Sequence, residues 1–390
     1  MKQGWQTKAI GDVCEVIAGQ SPEGKFYNAE GKGMPFYQGK KDFGEKFIEA
    51  PTTWTTQTTK IAKEGDILMS VRAPVGPVNV ATDEICIGRG LAAIRSSDEL
   101  NRDFLFYQLW YLQPDIAGRE GAVFASINKA EIEALPLAFA PLAEQRRIVG
   151  LLDEAFEGLA TAKANAEKNL QNARALFESH LQSVFTQRGP GWVETRKPLS
   201  EMSELIVDCE HKTAPIQEDG IPSIRTPNIG KGKLLLDGVN RVSEETFKAW
   251  TRRAEPLAGD LILAREAPAG NVAVIPEHTR VCLGQRTVLI RPKATIFDPY
   301  FLAFRLLEPQ MQEKLLAHSR GATVQHVNMK DIRALDVGAI PPLRLQQQIA
   351  AKVNAVSAEG ERLARLYERK HAALEALKKS LLHQAFTGEL

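Results

Sequence analysis

The sequence predicts an α+β protein. It should hold two similar globular domains, each a twisted β-sheet with short helices, separated by two long antiparallel α-helices that form a coiled coil, in a pseudo-two-fold internal repeat. Three observations predict this: a repeat at an offset of 194 to 201 residues, short strand patterns broken by Gly and Pro in each copy, and a long helical pattern closing each copy.

The repeat is direct. Gly65-Asp66-Ile67-Leu68 returns as Gly259-Asp260-Leu261-Ile262, Ala73-Pro74-Val75-Gly76 as Ala267-Pro268-Ala269-Gly270, and Cys86-Ile87-Gly88 as Cys282-Leu283-Gly284. Gly121-Ala122, Asn128 and Ala134-Leu135 match Gly321-Ala322, Asn328 and Ala334-Leu335, and Ser179, Leu181, Phe185 and Thr186 match Ser380, Leu382, Phe386 and Thr387. A unit this long is a duplicated domain rather than a solenoid repeat of about 20–50 residues. Strand patterns fall at Asp66–Val71, Val78–Ala81, Leu261–Ala264 and Val272–Ile275, with helical patches at Asp103–Leu112 and Pro299–Leu307. The expected order is a globular domain over 1–142, a spacer helix over 143–188, a second domain over 189–341 and a last helix over 342–390.

The two helices are the clearest elements. No proline interrupts Ala143–Phe185 or Arg344–Phe386, Pro141 and Pro342 stand before their starts, and Gly189-Pro190-Gly191 and Gly388 end them. At 1.5 Å per residue each would reach roughly 60 Å, more than a small domain needs. One face runs Ile148, Leu152, Ala155, Leu159, Ala162, Ala166, Leu170, Ala173, Phe177, Leu181, Val184. The other runs Ile349, Val353, Val356, Gly360, Leu363, Tyr367, His371, Leu374, Lys378, Leu382, Ala385, with the same alternation of three- and four-residue steps. Two stripes of one rhythm favour a pair packed on each other, antiparallel because the second helix starts from the second domain. The small residues Ala155, Ala162, Ala166 and Gly360 would allow close approach.

Composition sets the class. Hydrophobic residues at 44% and charged residues at 25% are those of a globular protein. No apolar run is long enough to span a membrane. The first 30 residues include Lys2, Lys8, Asp12 and Glu15 and lack a leader's apolar core, so the cytoplasm is the expected location and no membrane partner is expected. Cys14, Cys86, Cys209 and Cys282 have no metal-ligand spacing, and Cys86 and Cys282 read as core thiols.

The start of the first long helix, Pro141-Leu142-Ala143-Glu144-Gln145-Arg146-Arg147-Ile148, resembles the signature opening the helix of specificity subunits of type I restriction–modification systems. Pro341-Pro342-Leu343 with Gln346-Gln347-Gln348-Ile349 is a second copy with Leu345 where Glu is usual. The ends Leu381–Gly388 and Leu181–Thr186, the Gly-Asp-Ile-Leu element, and Gly33–Pro35 with Gly220–Pro222 extend the resemblance in order along the chain. It implies a non-catalytic subunit whose two target recognition domains each read half of a bipartite double-stranded DNA site. It also implies helices that dock modification (methyltransferase) subunits and set the gap, with restriction (endonuclease/translocase) subunits as further partners. The chain would then need no cofactor, S-adenosylmethionine being expected on the modification subunit.

Charge refines that reading. Residues 1–142 carry 15 Lys and Arg against 18 Asp and Glu, and residues 189–341 carry 20 against 19. A lone DNA binder usually has a basic footprint, so phosphate attraction must be local or supplied by partners. The candidate DNA-binding residues lie on loops at matching places in the repeats. They are Lys40 and Lys41 against Arg225, Asn228, Lys231 and Lys233; Arg72 against Arg265, one position earlier in its repeat; and Arg89 against Gln285 and Arg286. Arg and Gln suit guanine and adenine edges in the major groove, and unlike loops fit two unlike half-sites.

Catalytic lookalikes fail. Gly88-Arg89-Gly90-Leu91-Ala92-Ala93 has Rossmann spacing without a following helix, and Asp153-Glu154-Ala155-Phe156 lacks any phosphate-binding loop. Asp298-Pro299-Tyr300 reads as a helix start, and His211, His278 and His318 form no zinc-like cluster. No catalytic or metal site is therefore expected. Two other readings remain: a coiled-coil scaffold with two protein-binding domains, and the detached specificity half of a fused methyltransferase or nuclease.

Overall fold

The computed structural model describes residues 4–117, 126–317 and 325–390; Gly121-Ala122, Gly321-Ala322 and His318 lie outside the described residues. The chain divides into two compact units, Met1–Glu167 with Arg369–Leu390, and Lys168–Glu368.

In the first unit, strands β1 (Cys14–Ala18), β3 (Ile67–Ser70), β4 (Val78–Val80) and β6 (Leu91–Ser96) form an antiparallel sheet in the order β1-β6-β3-β4. A second sheet pairs β2 (Met34–Tyr37) with β5 (Ile85–Ile87) in parallel. Helix α1 (Arg102–Ala117) buries Phe104, Leu105, Phe106 and Leu109 in the core beside Ile67, Met69, Ala92 and Ile94 of β3 and β6.

The second unit repeats the plan. Strands β7 (Ser203–Asp208), β9 (Leu261–Ala264), β10 (Val272–Val274) and β12 (Thr287–Pro292) give the antiparallel order β7-β12-β9-β10, and β8 (Ile221–Ile224) runs parallel to β11 (Cys282–Leu283). Helix α3 (Pro299–Leu307) takes the place of α1 and starts where Asp298 accepts the Phe301 N–H at 2.9 Å.

The repeated Gly-Asp pair has a structural cause. Gly65 and Gly259 both sit at φ +84°, a turn conformation that costs glycine little. Each turn sends the next Asp inward. Asp66 is 3% exposed and takes two bonds from Arg95 of β6, at 2.9 and 2.7 Å; Asp260 is 2% exposed and takes the same pair from Arg291 of β12, at 2.8 and 2.7 Å. The second Asp oxygen also accepts a backbone N–H, from Lys63 or from Leu257, at 2.8 Å in each case.

The long helices are α2 (Leu142–Thr186) and α4 (Leu343–Thr387). Every residue of the two sequence stripes is buried or half-buried. In the first unit, Lys163 pairs with Glu375 at 2.8 Å and Glu167 with His371 at 3.4 Å, so the helices run antiparallel there. In the second unit Arg174 pairs with Glu368 at 2.7 Å, and a Cβ at Gly360 would come 3.1 Å from the Ala173 carbonyl oxygen. The expected small residue at a close crossing is thus present.

Each helix end plugs a domain core. Phe386 of α4 meets Phe104 edge-on with ring centres 5.2 Å apart in the first unit, and Phe185 of α2 meets Phe301 at 5.5 Å in the second. Both Phe rings are buried, and truncating a core Phe to Ala costs about 3–5 kcal/mol. This explains why the repeat extends into the helix ends.

Candidate nucleic-acid interface

Matching backbone hydrogen bonds fix which loop residues correspond. Gly88 N–H donates to the Tyr37 carbonyl at 2.8 Å, and Gly284 N–H to the Ile224 carbonyl at 2.8 Å. Val71 N–H donates to the Gly90 carbonyl at 3.0 Å, and Arg265 N–H to the Arg286 carbonyl at 2.8 Å. Arg72 bridges to Ser126 and Glu266 to His326 in the antiparallel sense. Gln38 therefore corresponds to Arg225, Arg89 to Gln285, Gly90 to Arg286, Val71 to Arg265 and Arg72 to Glu266.

In the first unit a rim forms where β2 and β5 end side by side. Ser21 Oγ donates to Gln38 Oε1 at 3.1 Å and accepts the Arg89 N–H at 3.2 Å. Gly90 N–H donates to the Gln38 carbonyl at 3.1 Å. Arg72 and Arg89 are exposed here. Lys40 and Lys41 follow in the short turn Lys40–Asp42, both exposed, with Lys41 3.8 Å from Asp42.

The second rim is more polar. His211, Arg265, Glu266, Gln285 and Arg286 line a cavity of about 260 Å³. The Arg265 guanidinium is held by Asp208 at 2.8 Å and by the Val327 carbonyl at 3.0 Å. His211 Nε2 lies 3.2 Å from the same Asp208 oxygen, and Gln285 Nε2 donates to the His211 carbonyl at 3.2 Å. Arg286 pairs with Glu266 at 3.0 Å and holds φ +65°, where a side chain costs roughly 1–3 kcal/mol. Arg225 is exposed at the edge of this group.

The candidates thus separate. Arg72 and Arg89 gather on one rim with Lys40 and Lys41 next in the chain, and Arg225, Arg265, Gln285 and Arg286 gather on the other. Arg265 is turned inward and shapes its loop. Asn228 closes a turn, accepting the Arg225 N–H at 3.1 Å and donating to the Leu235 carbonyl at 3.3 Å. Lys231 and Lys233 lie elsewhere, on a hairpin against the helices, with Lys231 paired to Glu178 and Lys233 to Glu361 at 2.6 Å. Gln38, Ser21 and His211 are rim residues absent from the sequence-derived set. The one signal for them is indirect: each touches a loop that follows a repeated Cys-x-Gly.

Gly88 and Gly90 lead into β6, a strand, and so form no dinucleotide-binding turn. Among the described residues, no three His, Cys, Asp or Glu side chains converge as a metal site, and no helix is long and apolar enough to cross a membrane.

Comparison with known proteins agrees with this architecture. A Methanocaldococcus jannaschii protein assigned as the MjaX type I restriction enzyme specificity subunit is 40% identical over 174 residues, covering 44% of this chain and 40% of that protein. The Escherichia coli EcoBI specificity subunit is 23% identical over 317 residues, covering 75% of this chain and 66% of that protein. The aligned stretches thus span less than two thirds of either relative. Two solved structures share the fold. One, from work on complex assembly and conformational transition of the type I R-M system, has TM-score 0.77 at 19% identity and covers 100% of this chain and 99% of its own. The other, the HsdS subunit from Thermoanaerobacter tengcongensis, has TM-score 0.64 at 18% identity and covers 100% and 98%. The family model described as the type I restriction modification DNA specificity domain matches residues 2–170 and again 210–368, most of the chain in two copies, and the chain belongs to that family.

Proposed function

We propose that this chain is the sequence-specific DNA-recognition subunit of a type I restriction–modification complex. Residues 1–142 and 189–341 are its two target recognition domains, each reading one half of a bipartite site. Residues 143–188 and 342–390 are spacer helices that dock the modification subunits and set the gap. Restriction subunits complete the assembly, which works in the cytoplasm. The chain itself is non-catalytic and carries no cofactor; S-adenosylmethionine belongs to the modification subunits.

The observation that carries this reading is the pair of rims. They share backbone hydrogen bonds yet present unlike polar side chains, as expected of one scaffold reading two different sequences. Arg72, Arg89 and Arg225 supply exposed positive charge on domains with no net basic excess beyond +1, so most phosphate neutralisation falls to partners. Coexpression with the modification subunit tests the proposal. A stable complex that methylates DNA sequence-specifically, with no methyl transfer by the isolated chain, is the expected result; methyl transfer by the isolated chain would refute it.

A further inference from the structure

Two glycines in the rims are explained by neither turn geometry nor flexibility. Gly88 and Gly284 are absent from the positive-φ positions, so their backbones would accept a side chain. Space forbids it. A Cβ at Gly88 would lie 2.9 Å from Gln38 Oε1 and 3.0 Å from Gln38 Cα. A Cβ at Gly284 would lie 2.7 Å from Arg225 Cγ and 2.8 Å from the Ile224 carbonyl oxygen. Each glycine leaves room for one long polar side chain to pass over it on its way to solvent, Gln38 in the first unit and the stem of Arg225 in the second, both exposed beyond it. Gly90 is also crowded in the first unit, since a Cβ there would lie 2.5 Å from the Gln38 carbonyl oxygen. Ser21 steadies the far end of Gln38 at 3.1 Å.

The residue after each glycine is also polar, and the two types are exchanged. The first unit has Gln38 over the glycine and Arg89 after it. The second has Arg225 over the glycine and Gln285 after it, with the Gln285 amide tied to the His211 carbonyl at 3.2 Å. Glutamine presents a donor and an acceptor that match the adenine major-groove edge, and arginine presents two donors that match guanine. Gln38, held by Ser21, loses less freedom on binding, which favours its use for discrimination over a mobile surface charge.

Resting on the DNA-recognition reading above, we propose that Gln38 and Arg225 are equivalent specificity-determining residues, Gln38 reading adenine in one half-site and Arg225 reading guanine in the other. Each of the two sets the identity of one base pair, and the glycine beneath it sets the reach of the side chain. The exchanged neighbours, Arg89 and Gln285, extend the same two chemistries to an adjacent position.

The test uses the complex assembled with modification subunits and a panel of duplexes carrying every base at each position of the methylated motif. Arg225→Gln, which shortens the side chain and introduces no overlap, should move the preference at one position of the second half-site from guanine to adenine. Gln38→Arg should make the opposite change in the first half-site. The penalty for the wrong base should be roughly 5–150-fold in binding, the range of a good bidentate pair. Arg225→Gln that weakens all duplexes alike, or keeps guanine, overturns the inference while the complex still methylates its split site. A wild-type complex without sequence-specific methylation overturns the recognition reading itself. Should Gln38→Arg disturb folding, Gln38→Ala in the same panel decides: loss of discrimination at one adenine supports the assignment, and unchanged discrimination rejects it.

Discussion

The side-chain oxygen of Gln145 accepts the Asn101 N–H at 2.7 Å, while its amide nitrogen donates to the Ala140 carbonyl at 2.8 Å and the Glu99 carbonyl at 3.1 Å. Gln346 repeats all three bonds in the second unit, accepting from Asp298 N–H at 2.9 Å and donating to the Pro341 and Ile296 carbonyls at 2.8 and 2.9 Å. Both glutamines are buried. The Gln of each helix-opening motif is therefore a clamp that ties the first turn of a long helix to the loop before α1 or α3.

Gln145→Ala strands buried carbonyls and an N–H, each costing about 1–3 kcal/mol, so the first unit should unfold at lower temperature. Differential scanning calorimetry should resolve a lowered transition for that unit with the second unit's transition kept. An unchanged thermogram would mean that water replaces the amide without loss.

Asp260→Ala should destabilise the second unit by about 1.5–3 kcal/mol, the range for hydrogen bonds to a charged group. It removes the carboxylate that receives Arg291 and Leu257. The carboxylate holds the Arg291 guanidinium above its usual pKa, chiefly through their hydrogen bond. In the variant the guanidinium stays charged, as arginine does in proteins, and keeps only its bond to the Glu255 carbonyl at 2.9 Å. Urea unfolding of the variant should move the midpoint down; Asp66→Ala should do the same for the first unit.

Burial pushes the Cys282 thiol up to about 11 and the Cys14 thiol up to about 12. The thiolate is the reactive form, so native-state alkylation of Cys282 at pH 8 should run far below the rate of a free thiol and rise as pH approaches 11. Mass spectrometry after timed labelling reads this directly. Free-thiol rates at pH 8 would show that the β8–β11 pair opens readily.

Lys231 and Lys233 are paired to helix carboxylates, whereas Lys40 and Lys41 lie exposed beside the first rim. Alanine at either of the first two should leave the salt dependence of DNA binding unchanged. Lys40→Ala or Lys41→Ala should lower the slope of log affinity against log salt by about 1 if the side chain meets a phosphate. Equal slopes across all four variants would remove this distinction between the two pairs of lysines.

The fold was legible because its signals are local or repeated. The stripe from Ile148 to Val184 marks a buried helix face, and Gly65-Asp66 with Gly259-Asp260 marks the turn into a central strand. The rims were less legible because they are assembled across sequence distance. Gln38 reaches the Gly88 loop only through the parallel pairing of β2 with β5, which no local pattern announces. Arg265 looks like a free cation until Asp208, on β7, is placed against it. Lys231 and Lys233 follow Arg225 closely in the chain, yet the hairpin bridge between Ile229 and Leu234 turns them onto the helices.

The central claim, that two domains of one chain read the two halves of a split DNA site, is tested most directly by mapping every methylated position in DNA exposed to the assembled complex. The account predicts one motif of two fixed blocks separated by a gap of constant length and free sequence, and substitution of Arg225 alters only one block. A single continuous motif, or a change in both blocks on substituting Arg225 alone, would contradict it.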